Sequence, residues 1–463
     1  MARRDANKVQ TFVRATTVRF DHDFVTWFRS VAPYVNSFRN KTFVVAFGGE
    51  VVADGKFVEL VHDLNSLASL GVRLVLVHGA RPQIEFRLSE RNLETIYVRG
   101  MRVTDADTLQ CVKESIGRVR VEIEALLSMG LPNSPMANAA IRVASGNFVT
   151  ARPVGVIEGV DLMHTGEVRK VDSAAIRVRL EQGELALLSP LGYSPTGEIF
   201  NLTLENVAAE AAIALKADKL IFLMDPEGVE KRYRNDAEAL LLRELTVAEG
   251  KALLEEAGSQ AVTLSEDVEL YLPFALHACE RGVSRVHLIS RHVDGATLLE
   301  LFTHTGIGTM ISEGPLQNLR DARIEDVGAI LQLIEPLEAD GTLVRRNREL
   351  LEMEIARFVV VEHDNIIIGC AALYPFRDDD AAELACLTVH PDYRSAGCGD
   401  ALLRNIESKA RSLGSNKLFV LTTRTAHWFV EHGFVETGIG ELPRAKQGLY
   451  NYQRRSKVFV KQL

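Results

Sequence analysis

The chain is 463 residues long, with 47% apolar and 25% charged residues and a formal net charge of −9; that length exceeds one hydrophobic core and predicts two or more domains. The negative balance argues against a nucleic-acid-binding protein while leaving room for local anion sites. No apolar run approaches the roughly 18 residues that span a bilayer, no signal core follows Met1-Ala2-Arg3-Arg4, and Cys111, Cys279, Cys370, Cys386 and Cys398 form no close CxxC pair, so a reduced cytoplasmic protein without a membrane partner, disulfide framework or structural zinc is expected.

The first twenty residues are polar and basic. Phe24, Trp27, Phe28, Val31, Tyr34, Val35 and Phe38 then recur at three- and four-residue steps, which predicts an amphipathic helix with an aromatic stripe. That helix either packs on its own domain or docks on a neighbouring subunit, and residues 1–40 are assigned to an N-terminal arm. From Lys41 the texture becomes strand, helix, strand. Lys41–Gly49 is an apolar strand ending in a double glycine, Leu60–Leu70 is helical, and Val72–Ala80 is a second buried strand. Leu185–Leu188, Lys219–Met224 and Arg285–Ile289 are further apolar strands with helical segments between. The alternation predicts an α/β domain over 41–310, with a mainly parallel sheet between helices and ligands beyond the C-terminal strand ends.

Gly306–Asn318 carries three glycines and a proline with little periodicity, so a linker is expected at 311–318 and a smaller α/β domain at 319–463. Helices are predicted over Ile324–Leu337 and Arg348–Phe358, and strands at Phe358–Glu362, Ile366–Tyr374 and Ala382–Val389. A helix from Asp400 to about Leu413, a strand at Lys417–Thr423, a short helix over Ala426–Glu431 and a strand near Ser456–Val460 follow.

The segment Glu383–Leu403 carries the most chemical information. A strand ends at Val389, His390-Pro391 turns the chain, and Arg394-Ser395-Ala396-Gly397-Cys398-Gly399 leads straight into a helix. Glycines let backbone approach a ligand, N–H groups at a helix start form an anion site, and Arg394 adds charge, so a pyrophosphate fits; a structural turn is the alternative. R-x-x-G-x-G between a strand and a helix resembles the acetyl-CoA motif of the GNAT acetyltransferase superfamily, as does the later HWFVEHGF, His427–Phe434. The resemblance covers about 319–463 and implies a mixed sheet with helices. It also implies an acetyl-CoA site built from Cys386, Leu387, Thr388, Val389, Arg394, Gly397 and Gly399. Acetyl transfer to an amine needs a base, and Glu383 at the start of the same strand is the candidate, with a solvated strand-end carboxylate as the alternative. Cys386 as a covalent nucleophile is disfavoured, because its strand is apolar and no neighbouring histidine lowers its pKa. Many superfamily members protonate the departing thiolate with a tyrosine where this chain has Phe429, so Thr422 or an ordered water must substitute, ahead of His427.

Longer matches run along nearly the whole chain. Ala32–Asn36, Asn40–Val44, Gly79–Ile84, Arg102–Ala106, Ser145–Phe148, Leu343–Arg346, Phe419–Arg424 and Leu449–Lys457 resemble the bacterial N-acetylglutamate synthase family, in which an amino-acid-kinase-like domain precedes the acetyltransferase domain. This resemblance implies that the enzyme acetylates L-glutamate with acetyl-CoA to open L-arginine biosynthesis. It assigns the glutamate site to Leu343, Arg345, Cys386, Arg454 and Ser456. Two carboxylates need two anion-binding points, which guanidinium groups supply bidentately; Arg454 and Ser456, two apart on a strand, share one face. Neighbouring arginines on a strand point opposite ways, so one of Arg345 and Arg346, and one of Arg454 and Arg455, can be a solvated surface charge. No metal-ligand cluster is visible, so no metal is expected.

Residues 41 to about 310 resemble the amino-acid kinases, above all those inhibited by arginine. Those kinases carry a lysine before the double glycine of the first strand. This chain has Ala46-Phe47-Gly48-Gly49, and without that cation a phosphoryl transition state lacks a major stabiliser. The segment Leu298–Thr309 resembles the arginine-inhibition segment. By that likeness Glu300 would pair with a guanidinium, Gly306 and Gly308 would offer carbonyls, and Lys219 would face the arginine carboxylate; a helix ending in a glycine cap is the alternative. The same likeness implies that the aromatic N-terminal helix interlocks dimers into a hexamer. The competing functions are an active kinase fused to an acetyltransferase, which Ala46 disfavours, and a non-catalytic arginine-binding regulator, which the intact loop and Glu383 disfavour.

Overall fold

The computed structural model describes residues 22–463 except 234–238, 304–305, 316, 364–365, 395–396, 449 and 451–455. It divides at Glu313/Gly314 into two compact units.

The first unit is organised by an eight-stranded sheet. Its strands are β1 (Thr42–Phe47), β2 (Arg73–His78), β3 (Val143–Ser145), β4 (Leu185–Leu188), β5 (Lys219–Met224), β6 (Glu244–Thr246), β7 (Arg285–Ser290) and β8 (Thr309–Ser312), in the order β6-β8-β7-β5-β1-β2-β4-β3. The run from β7 to β3 is parallel, and β8 turns antiparallel against β7. Its central strands read as unbroken apolar runs because both faces are covered. Val44, Ala46, Val75 and Val77 face one core with helix Leu204–Leu215, while Phe43, Val45, Phe47, Leu74 and Leu76 face another with helix Phe57–Ser69. This is the period-two alternation of strand side chains.

The first helix, α1 (His22–Phe38), docks its last turns on this unit's own core. Val31 and Phe38 are buried, and the Phe38 ring lies edge-on to Phe43 and Phe302. Phe28 remains 60% exposed. A second sheet, of Val149–Pro153, Gly166–Val171, Leu191–Tyr193 and Ile199–Asn201, has no counterpart in the expected elements. Helix α2 (Phe57–Ser69) carries the buried Asp63, whose carboxyl faces the backbone N–H groups of Thr297 and Leu298 at the start of α3 (Ala296–Phe302). That helix has no side-chain cap of its own, so Asp63 serves as one from a distance.

The second unit holds a seven-stranded mixed sheet: β9 (Gln317–Asp321), β10 (Phe358–His363), β11 (Ile366–Phe376), β12 (Ala381–Val389), β13 (Lys417–Thr422), β14 (Val435–Thr437) and β15 (Lys457–Gln462), in the order β9-β10-β11-β12-β13-β15-β14. Only β12 and β13 run parallel, and they pair only from Ala381–Glu383 to Lys417–Phe419 before separating. On its other side β12 slips register against β11: Ala372 faces Ala385 but Cys370 faces Thr388, so one residue opposes two. Cys386 sits in that bulge with φ +52°, a conformation that costs a side-chain-bearing residue about 1–3 kcal/mol. Helices α4 (Val327–Ala339), α5 (Arg348–Glu354), α6 (Cys398–Ser412), α7 (Ala426–Glu431) and α8 (Arg444–Gln447) complete the unit. The expected helix Arg348–Phe358 stops early, because a 3₁₀ turn at Ile355–Arg357 feeds Phe358 into β10. Helix α6 begins two residues before Asp400, at Cys398.

Candidate active site

The gap between β12 and β13 opens into a cleft of about 730 Å³, within the range of small-molecule sites. Its walls are Glu383–Val389 from β12 and Val420–Thr422 from β13, closed by Leu343, Val344 and Arg346 after α4, by Trp428 and Phe429 on α7, and by Lys446, Tyr450 and Ser456. The strands part because β13 pairs with β15 along its whole length and follows it, while β12 follows β11 through the bulge.

Eight of the site residues expected from the sequence besides Glu383 and Thr422 line this one cleft: Leu343, Cys386, Leu387, Thr388, Val389, Arg394, Gly399 and Ser456. Arg345 does not; it is exposed, and its neighbour Arg346 lines the cleft instead. The alternation has a local cause. The Arg346 N–H donates to Glu338 Oε1 at 2.8 Å, which fixes the strand-like segment with Arg346 inward and half-buried. Arg346 is held more firmly protonated than usual: burial opposes this, and the nearby Cys386, Tyr374 and Glu354 outweigh it. Tyr374 is itself fixed by donating to Glu354 at 2.6 Å. Arg454 lies outside the described residues. His427 is exposed and outside the lining.

Glu383 is buried at the end where the two strands still pair, and Lys446 Nζ lies 2.6 Å from its Oε2. Nothing in the sequence interval of 63 residues signalled that pair. Thr422 Oγ1 accepts from the Thr425 N–H at 3.2 Å and lies 2.9 Å from Thr425 Oγ1. With backbone donors on its lone pairs, its own proton can turn towards the cleft. Phe429 is buried edge-on against Trp428 and Phe434 and has no proton to give. Burial pushes the Cys386 thiol up to about 11, so it is not the thiolate a covalent route requires.

A carbonyl-and-phosphate ligand would find three matched features. The bulge at Cys386 releases backbone N–H groups from the sheet ladder. Thr388 Oγ1 is buried without a hydrogen-bond partner among the described residues. Gly397, at φ +72°, turns the chain into the 15-residue helix α6, whose first N–H groups and dipole form an anion cradle beside Arg394. Gly397 itself does not line the cleft, and a Cβ there would meet nothing within 4 Å; the left-handed backbone is what demands glycine. Gly399 is close-packed, with a Cβ position 3.4 Å from the Trp428 ring. Among the described residues no group of three or more His, Cys, Asp or Glu is arranged to hold a metal.

In the first unit, Lys219, His287 and Glu300 form one buried row. Lys219 Nζ lies 3.3 Å from His287 Nε2, and His287 Nδ1 lies 2.7 Å from Glu300 Oε1. Glu300 Oε2 accepts from the N–H groups of Ile307 (2.7 Å) and Gly308 (2.9 Å). The 306–308 turn thus offers Glu300 its N–H groups, where the sequence reading had carbonyls facing a ligand. Burial raises the Glu300 pKa, and His287 with the two N–H groups more than reverses this, to about 2. At the strand-exit crevice Ala46 is wholly buried in the core and supplies no cation.

Two family models match: the amino acid kinase family over residues 41–290 and the acetyltransferase (GNAT) domain over 354–436. An amino-acid acetyltransferase of Ralstonia nicotianae is 51% identical over 440 residues, covering 95% of each chain. One from Pseudomonas putida is 54% identical over 441 residues, covering 95% of this chain and all of that one. The chain belongs to the amino-acid acetyltransferase family. It is an acyltransferase, with an amino-acid-kinase fold ahead of a GNAT domain. Its backbone is similar to crystalline N-acetylglutamate synthase of Neisseria gonorrhoeae complexed with coenzyme A and L-arginine, with a TM-score of 0.84 and 37% identity over 95% of this chain and 99% of that one. The complex of that synthase with coenzyme A and N-acetyl-glutamate matches at a TM-score of 0.59 over the same span. No helix among the described residues is long and apolar enough to cross a membrane.

Proposed function

We propose that the protein transfers the acetyl group of acetyl-CoA to the α-amino group of L-glutamate, giving N-acetyl-L-glutamate and CoA, as the first step of L-arginine biosynthesis. The observation that carries this reading is the cleft between β12 and β13, with a buried carboxylate at its closed end and a hydroxyl on the facing strand. Glu383 accepts a proton from the substrate ammonium, directly or through water. The freed lone pair attacks the acetyl carbon while N–H groups of the Cys386 bulge polarise its oxygen. As the C–S bond breaks, the Thr422 hydroxyl hydrogen-bonds the departing sulfur and relays to it the second proton lost by the acetylated nitrogen. Arg394 and the start of α6 hold the pyrophosphate. Leu343, Cys386 and Ser456 contact glutamate, and Arg346 takes the carboxylate role first expected of Arg345; Arg454 remains a candidate for the other carboxylate.

L-Arginine binds the Lys219–His287–Glu300 row in this reading and inhibits the reaction of the other unit, its guanidinium sharing or replacing the His287 contact to Glu300 beside Gly306 and Gly308. The protein is cytoplasmic and a homo-oligomer, a hexamer through α1, and the exposed Phe28 supports that assembly.

The test is an incubation of the purified chain with acetyl-CoA and L-glutamate, with and without L-arginine, following CoA release and N-acetylglutamate by mass. Turnover that arginine suppresses without competing with glutamate is expected, and Glu383→Gln should lower kcat about 10²–10⁴-fold. ATP consumption with N-acetylglutamate, and no CoA release, would instead return the chain to the kinases.

A further inference from the structure

The Glu383–Lys446 ion pair is at odds with the work of a base. A carboxylate that must take a proton is here already neutralised, with Lys446 Nζ 2.6 Å from Oε2 and both side chains largely buried, 9% and 23% exposed. Protonating Glu383 in place would leave the ammonium buried and unpaired, which is the expensive way to break such a pair.

Lys446 has the means to leave. It lies on α8, a single turn started after Pro443 and held from outside the site by Gln447 Nε2, which donates to Gly440 O and Leu442 O at 3.1 and 2.7 Å. Its ammonium rides on a flexible four-carbon stem. Four cations line the cleft among the described residues: Arg346, Arg394, Arg424 and Lys446. Arg424 is engaged by Asp340 at 2.8 Å, and Arg394 stands by the phosphate cradle. Among the described residues, Arg346 and Lys446 are the two left near Cys386 and Glu383 for an acceptor that carries two carboxylates, with Arg454 a further candidate outside them.

We propose that Lys446 is a substrate-operated latch: it pairs with Glu383 while the acceptor site is empty and moves to the side-chain carboxylate of the incoming amino acid, freeing Glu383 to take the ammonium proton. The inference rests on the acetyl-transfer reading above and adds a reason for dicarboxylate specificity. An amino acid without the second carboxylate binds beside a base that stays latched, so it loses turnover as well as affinity. No bond other than the N–H to O–H proton transfer changes in this step.

L-Glutamine, nearly isosteric with L-glutamate but uncharged at the side chain, separates the latch from a packing role. In Lys446→Met, kcat/KM for glutamate should fall roughly 10–100-fold, mostly through KM, as for loss of a charge-assisted hydrogen bond. Glutamine turnover should rise, because Glu383 is no longer held. Lys446→Arg should keep the preference for glutamate. Lys446→Gln serves as a second uncharged variant, and an unchanged KM for acetyl-CoA checks that the cleft is folded. Opposite changes for the two acceptors support the latch. Equal losses for both, or no change in their ratio, overturn it. If the unmodified chain acetylates neither acceptor, the fault lies with the proposed function.

Discussion

At the scale of single residues, direction matters more than identity. Arg345 and Arg346 are adjacent and chemically the same, yet one is solvated and the other lines the cleft beside Tyr374 and Cys386. Arg346→Ala should raise the KM for glutamate and lower kcat/KM by about one to two decades, the worth of a charge-assisted hydrogen bond. Arg345→Ala should change either constant by less than about twofold, as expected of a solvated surface charge. Steady-state kinetics on both variants decide between them, and the reverse ranking would return the carboxylate to Arg345. Cys386 makes the same point differently. Its place in a strand invites a nucleophile, but its φ of +52° and a thiol pushed up to about 11 make it a backbone residue, present for the bulge it forms.

At the scale of elements, the site is made by what two strands fail to do. β12 and β13 stop pairing after Glu383 and Phe419, and the vacated ladder becomes the walls of the cleft. The loop into α6 depends on backbone alone. Gly397→Val adds a Cβ that meets nothing within 4 Å among the described residues, yet it places a β-branched residue at φ +72°, at a cost of about 1–3 kcal/mol. The chain would relieve that strain by moving the first N–H groups of α6 away from the phosphate position. An acetyl-CoA KM raised several-fold with an unchanged glutamate KM is the expected result, read by varying each substrate in turn. A glutamate-specific defect would mean that the loop serves the acceptor instead.

At the scale of the whole molecule, the first unit joins its helices through a buried carboxyl. Asp63 caps α3, the helix that carries Glu300, and burial together with the charge of Asp294 raises its pKa to about 6. A carboxyl whose folded pKa lies above its unfolded value stabilises the fold below about pH 3.8, and that contribution is lost as pH rises through about 6. Asparagine keeps the cap acceptor without the charge. Asp63→Asn should therefore match the unmodified protein near pH 4 and exceed it at pH 8 by about 2–3 kcal/mol. Urea unfolding of the full chain at the two pH values measures this. An equal effect at both would mean that the fold does not raise the pKa of Asp63.

Much of this was legible in the chain itself. The apolar runs of β1, β2, β5 and β7 stand out because a sheet covered on both faces leaves few polar positions, so a short apolar run of strand length marks them. Arg394–Gly399 and Glu383 were readable because turn chemistry and a carboxylate beside it are local. The short strands of the second sheet in the first unit, such as Leu191–Tyr193, were not, since three residues carry no period. The sequence by itself determined that two α/β units, an anion-binding helix start and a kinase-like strand without its lysine would be present. Only the tertiary structure decided that Arg346 and not Arg345 turns inward, that Lys446 meets Glu383 across 63 residues, and that Glu300 is already satisfied by His287 and two backbone N–H groups. Each of those depends on a side-chain direction or a long-range contact that neither composition nor spacing encodes.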